Sequence, residues 1–144
     1  MTASEGRLLG VEHLGVAVPN AAAAGEAFRT AFGLEPGHTE VLPEHGVKTE
    51  FYALGRGAEI EFIEPLDSAN SIGRYLERQG SGIHHVALRV AGLDSLLEAM
   101  KSRGVRLIDE RARVGAQGKR VAFIHPRSMG GILVELVEHP AGEQ

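Results

Sequence analysis

The 144-residue chain has no cysteine and no tryptophan, and only two tyrosines and five phenylalanines. Without thiols it has no disulfide, no thiolate metal site and no thiol nucleophile, so any metal must be held by histidine, carboxylate or amide groups. No apolar run approaches the roughly 18 residues that a spanning helix requires, and the opening "MTASEGR" is polar, which predicts a cytoplasmic protein with no membrane partner. A basic excess is missing as well: 15 Lys and Arg stand against 19 Asp and Glu, a formal charge of -4 that argues against nucleic acid as a partner. With few aromatics the core must be aliphatic, and nineteen glycines imply short strands joined by tight turns. What is present, 43% hydrophobic and 24% charged residues, suits one globular domain over 1–144.

The chain repeats itself. "VEHLGVAV" (11–18) aligns with "IHHVALRV" (83–90) at an offset of 72, which sets His13 on His85 and Glu12 on His84. A helical stretch follows each strand: "NAAAAGEAFRTAFG", with Asn20 as cap and Gly33 as stop, and "LDSLLEAMKSRG", with Asp94 or Ser95 as cap and Gly104 as stop. Each half closes on an apolar strand, "EIEFIEP" and "LVELVEHP", where an offset of 74 sets Glu61 on Glu135 and Glu64 on Glu138. Further strands are expected at "TEVLP" and "VKTEFYAL" in the first half and at "VRLIDE" and "KRVAFIHP" in the second. The predicted architecture is α+β: two tandem βαβββ modules, about 9–66 and about 82–139, pairing into a cupped, mostly antiparallel sheet. A linking helix over about 71–79, capped by Ser71, joins them.

Strand alternation then sorts the faces. Leu14, Val16 and Val18, like Val86, Leu88 and Val90, form apolar faces that pack under the helices, and Ile60, Phe62, Val134 and Leu136 join them. The opposite face receives His13, Glu61, His85 and Glu135. A single strand histidine is ordinarily a hydrogen-bonded structural residue, and a single strand glutamate is ordinarily solvated. Two of each, in register on duplicated strands, place carboxylates where only a cation makes them tolerable. Nitrogen and oxygen ligands without thiolate suit Co(II), Mn(II), Ni(II), Fe(II) or Zn(II).

These motifs, with "LPEHGVK", "GVRLIDE" and "KRVAFIHPRSMGGILVELVE", resemble the vicinal oxygen chelate superfamily and, within it, the methylmalonyl-CoA epimerase family, over nearly the whole chain. The resemblance implies one divalent ion, with cobalt favoured, held by His13, Glu61, His85 and Glu135. It also implies a proton-transfer role for Glu135, an acyl-CoA substrate and a homodimer. The chemistry agrees: epimerisation alpha to a thioester needs a polarised carbonyl, with an acid and a base on opposite sides. Glu61 and Glu135, from different modules, are the favoured catalytic pair; because Thr49 stands where some members of the family have Glu, Glu50 or a metal-bound water are the alternatives to Glu61. Lys119 and Arg120, with Arg127 near them beside the "VGAQG" loop, are candidate contacts for coenzyme A phosphates. Glu12 and His84 are expected on the opposite face or at a strand edge, and His45 and His125 in turns. The rivals are a glyoxalase-type lyase or isomerase acting on a thiol adduct, and a metal-free binding protein of the same fold.

Overall fold

The computed structural model describes residues 5–141, so the expectation for the polar opening residues Met1–Ser4 lies outside the described residues. Eight strands and three helices follow in the order β1 (Arg7–Ala17), α1 (Ala21–Phe32), β2 (Pro36–Leu42), β3 (Val47–Gly55), β4 (Ala58–Pro65), α2 (Ser71–Gln79), β5 (Gly82–Ala91), α3 (Leu93–Ser102), β6 (Arg113–Val114), β7 (Arg120–Ile124) and β8 (Val134–Glu138). They divide into a first compact unit, His13–His84, and a second, Met1–Glu12 with His85–Gln144. Among the described residues no helix is long and apolar enough to cross a membrane.

In the first unit, β2 pairs antiparallel with β3, β3 antiparallel with β4, and β4 parallel with β1, placing Gly15 opposite Glu61. In the second unit, β5 pairs parallel with β8, β8 antiparallel with β7, and β7 antiparallel with β6, placing Ala87 opposite Glu135. One face of each unit packs on a helix as alternation requires. Val18, Tyr52, Ile60 and Phe62 meet Ala21, Ala24 and Phe28 of α1, whereas Val90, Ile124, Val134 and Leu136 meet Leu93, Leu97 and Met100 of α3. Burying a side chain such as Phe62 or Leu97 to this degree contributes roughly 1.5–3 kcal/mol. In the first unit the other face is also covered, where Ala17, Val47 and Ile63 pack against Ile72 and Leu76 of α2.

The helix ends agree with the sequence at α1 and depart from it at α2 and α3. Asn20 accepts the Ala23 amide at 2.9 Å, and Gly33 ends α1 at a left-handed φ of 69°. At α2 the cap is Asn70 rather than Ser71, because Asn70 reaches the Gly73 amide at 2.8 Å. At α3 neither Asp94 nor Ser95 caps. Gly92 turns the chain at φ 66°, and the first free amide, Leu93 N, is taken by the Glu138 carboxylate at 3.0 Å. The repeat reproduces this on the first unit, where Glu64 accepts the Ala21 amide at 2.8 Å.

The strand expected at "VRLIDE" does not form; only an isolated bridge joins Leu107 to Ile124. The Asp109 carboxylate takes the place of a strand backbone, accepting Phe123 N at 2.8 Å while Phe123 O receives the amides of Ile108 and Asp109. A side chain competing with the ladder in this way ends regular pairing.

Candidate metal centre and its surroundings

Each unit carries the same trio of histidine, glutamate and phenylalanine, buried except for the half-buried Phe123. In the first, His13 Nε2 lies 3.1 Å from Glu61 Oε1, and the His13 ring meets Phe51 edge to face at 5.7 Å. In the second, His85 Nε2 lies 3.1 Å from Glu135 Oε1, and the His85 ring meets Phe123 at 5.5 Å and 82°. The four ionisable residues are 5–8% exposed. The strands explain the geometry. Phe51 is the direct partner of Glu61 and Phe123 that of Glu135, while small residues, Gly15 and Ala87, flank each carboxylate from the parallel strand and leave it room. Packing an aromatic edge against each imidazole restricts its rotation.

Phe51 and Phe123, separated by the repeat offset of 72, escaped the sequence reading although "EFYAL" and "VAFIH" carried the signal. His85 rather than His84 faces the carboxylate; His84 is half-buried with its ring against Tyr75 at 5.4 Å. Glu50 accepts the Tyr52 hydroxyl at 3.1 Å on the α1 side, and burial together with that bond raises the Tyr52 pKa. His125 caps its own turn, its Nδ1 accepting Arg127 N at 3.1 Å, and His45 ends the turn Pro43–His45, both as expected. Gly115 of the "VGAQG" loop packs so closely on Val121 that a Cβ there would sit 2.9 Å from its Cγ1, which gives this glycine a packing role.

Glu12, expected on the opposite face or at a strand edge, is 1% exposed and accepts from Arg89 Nε at 2.7 Å and Lys119 Nζ at 2.9 Å, with the His139 ring at 2.8 Å. Burial pushes its pKa up, but the hydrogen bonds from Lys119, His139 and Arg89 outweigh that and lower it to about 2. Lys119 is therefore tied to Glu12. Arg120 donates to Glu138 at 2.7 Å and to Asp94 at 2.6 Å, and those bonds raise its pKa further.

The two His–Glu pairs fit a divalent ion by their donor chemistry: imidazole nitrogens and carboxylate oxygens, buried, with no thiolate, suit a borderline or hard cation.

The chain belongs to the glyoxalase/bleomycin resistance protein/dioxygenase superfamily, whose model matches residues 12–123. Within it, the chain is 38% identical to a mitochondrial methylmalonyl-CoA epimerase of Bos taurus over 88% of this chain and 72% of the relative. The crystal structure of methylmalonyl-CoA epimerase from Mycobacterium tuberculosis superposes with a TM-score of 0.89 at 36% identity, covering 97% of this chain and 93% of that one. A methylmalonyl-CoA epimerase in complex with methylmalonyl-CoA and NH4+ gives 0.88 at 31% identity, covering 96% and 99%. The α+β class and the vicinal oxygen chelate fold read from the sequence agree with these structures.

Proposed function

We propose that the chain is a divalent-metal-dependent epimerase that interconverts the 2R and 2S epimers of methylmalonyl-CoA. The observation that carries this reading is the duplicated trio of histidine, glutamate and phenylalanine, His13–Glu61–Phe51 and His85–Glu135–Phe123, with both His–Glu pairs buried. Several relatives that share the fold bear the name of that activity, and one of them was solved with methylmalonyl-CoA.

In this proposal His13, Glu61, His85 and Glu135 hold one ion, and cobalt is the first metal to try. The ion would supply Lewis acidity, drawing electron density from the thioester carbonyl so that the alpha proton becomes acidic. The residues do the rest. Phe51 and Phe123 keep the imidazoles oriented. Glu135 and Glu61 are the carboxylates assigned to take the alpha proton and return it on the other side, each contributing typically about 10²–10⁴-fold. The domain reading carries over as one domain over 1–144 with two modules. A cytoplasmic homodimer belongs to the same proposal, supported by the resemblance and by the exposed apolar side chains Leu8 and Val11 on β1.

The test uses each pure epimer of methylmalonyl-CoA in D₂O. Deuterium at the alpha carbon and loss of optical purity at matching rates, from either epimer, support the reading. A protein that leaves both epimers unchanged with every divalent ion tried rules it out.

A further inference from the structure

The second unit contains a cavity of about 400 Å³ at the carboxyl end of β5, where the chain turns through Gly92 into α3. Arg7, Arg89, Arg120 and His139 line it, and Glu138 is the one carboxylate in its lining. In a chain of formal charge -4 the lining is locally basic, although Arg89 is paired with Glu12 and Arg120 with Asp94 and Glu138. Glu138 is already committed, bonded to Arg120 through one oxygen and to Leu93 N through the other. Arg89 and His139 are held in place by the buried Glu12, whose charge Lys119 also offsets.

The fold does not require this basic character. At the repeat offsets, Ala17, Val47 and Pro65 of the first unit stand where the second has Arg89, Lys119 and His139. There, Ala17 and Val47 form an apolar cluster packed against α2. Guanidinium groups gathered in one place are suited to phosphate oxygens, because their planar forks of N–H donors favour that geometry and charge. The volume suits a ligand larger than one phosphate.

We propose that this cavity binds a phosphate-bearing ligand and, resting on the epimerase reading above, that the ligand is the phosphoadenosine end of the coenzyme A ester. Arg89 lies four residues beyond His85 along β5, roughly 13 Å at strand spacing. An extended pantetheine arm spans that distance. Arg120 thus keeps the role read from the sequence, Lys119 acts from behind through Glu12, and Arg7 joins as a contact that the sequence reading did not single out.

The test titrates adenosine 3′,5′-bisphosphate into the full-length protein by calorimetry and compares KM for methylmalonyl-CoA with KM for the pantetheine thioester, which lacks the nucleotide. Arg7 is exposed, so R7E is suited to reverse the charge without disturbing the core. R56E, in the exposed turn between β3 and β4 of the first unit, is the charge-matched control. Bisphosphate affinity should fall by about tenfold or more in R7E, and KM for the CoA ester should rise similarly with much less change in kcat. R56E should move neither by more than about twofold. Absence of bisphosphate binding to the wild type, or equal affinity in R7E, overturns the site. Inorganic pyrophosphate binding as tightly as the bisphosphate, with KM for the CoA ester unchanged in R7E, overturns the coenzyme assignment. R7E-sensitive bisphosphate binding by a protein that exchanges no alpha proton keeps the phosphate site and removes the epimerase reading, so the two failures are distinguishable.

Discussion

The two units apply one plan to different ends. Both keep the histidine, the glutamate and the phenylalanine of the trio, and in both a glutamate from the closing strand, Glu64 or Glu138, takes the first amide of the helix. They diverge a short step along the same face. The first unit covers Ala17 and Val47 with apolar side chains of α2, whereas the second sets Arg89, Lys119 and His139 around the buried Glu12. Positions that stayed the same carry the His–Glu–Phe trio and the carboxylate that takes the first helix amide. Positions that diverged separate a unit closed by apolar packing from one that gathers basic side chains around a buried carboxylate.

The comparison breaks most severely at the carboxylates. Glu135→Gln, and in the other unit Glu61→Gln, should each lower alpha-proton exchange by about 10²–10⁴-fold, as expected for removal of a proton-transfer group. Because the two glutamates are assigned to opposite sides of the substrate, the more affected epimer should differ between the variants. Exchange rates from each pure epimer check this, and equal losses from both epimers in both variants would contradict the assignment.

Next come Glu12 and His84, the residues that precede the two histidines of the trio. Glu12→Gln removes the charge that Arg89 and Lys119 share in a buried site and should cost about 3–5 kcal/mol in urea unfolding. His84→Ala, at a half-buried position against one tyrosine ring, should cost about 1 kcal/mol or less. Similar costs would mean that the two units are not specialised here.

A pH titration of stability sharpens the same contrast. The Glu12 carboxyl is held at about 2 in the folded chain against an ordinary 4.5, so its contribution, roughly 3 kcal/mol, is fully present above pH 4.5. It is lost as the pH falls from 4.5 through 2. Denaturant midpoints measured across that range should fall more steeply for the wild type than for Glu12→Gln.

The helix starts give a further contrast. Asn20→Ala removes the side-chain cap of α1 and should cost about 1 kcal/mol. Gly92→Ala must instead hold a Cβ at φ 66° and 2.9 Å from the Glu5 carbonyl oxygen, so it is expected to cost more. Thermal melts of the pair give the order.

The repeat, the helix-side faces and both His–Glu pairs were legible because they rest on local periodicity and on an offset that runs in register along the chain. The caps Asn70 and Gly92 were missed by a residue or two, since several polar residues near a helix start can compete for its amides. The strand expected over 105–110 failed for a reason that propensity does not express: the Asp109 side chain takes the Phe123 amide that a ladder would use. The partners of Glu12 were not legible because they lie 77, 107 and 127 residues away, beyond any local pattern. Nothing in "VEHLGV" distinguishes a buried carboxylate with three basic partners from an edge glutamate.

Metal stoichiometry, measured together with alpha-proton exchange, tests the central claim most directly. Protein stripped by chelator and reloaded with cobalt is assayed for bound ion per chain and for deuterium uptake by methylmalonyl-CoA, in the wild type and in His13→Ala and His85→Ala. Shared use of the two pairs predicts one ion per wild-type chain, loss of that ion in either variant, and exchange that vanishes and returns with the metal. Two ions per chain with one surviving in each variant, or exchange at the full rate in stripped protein, would contradict it.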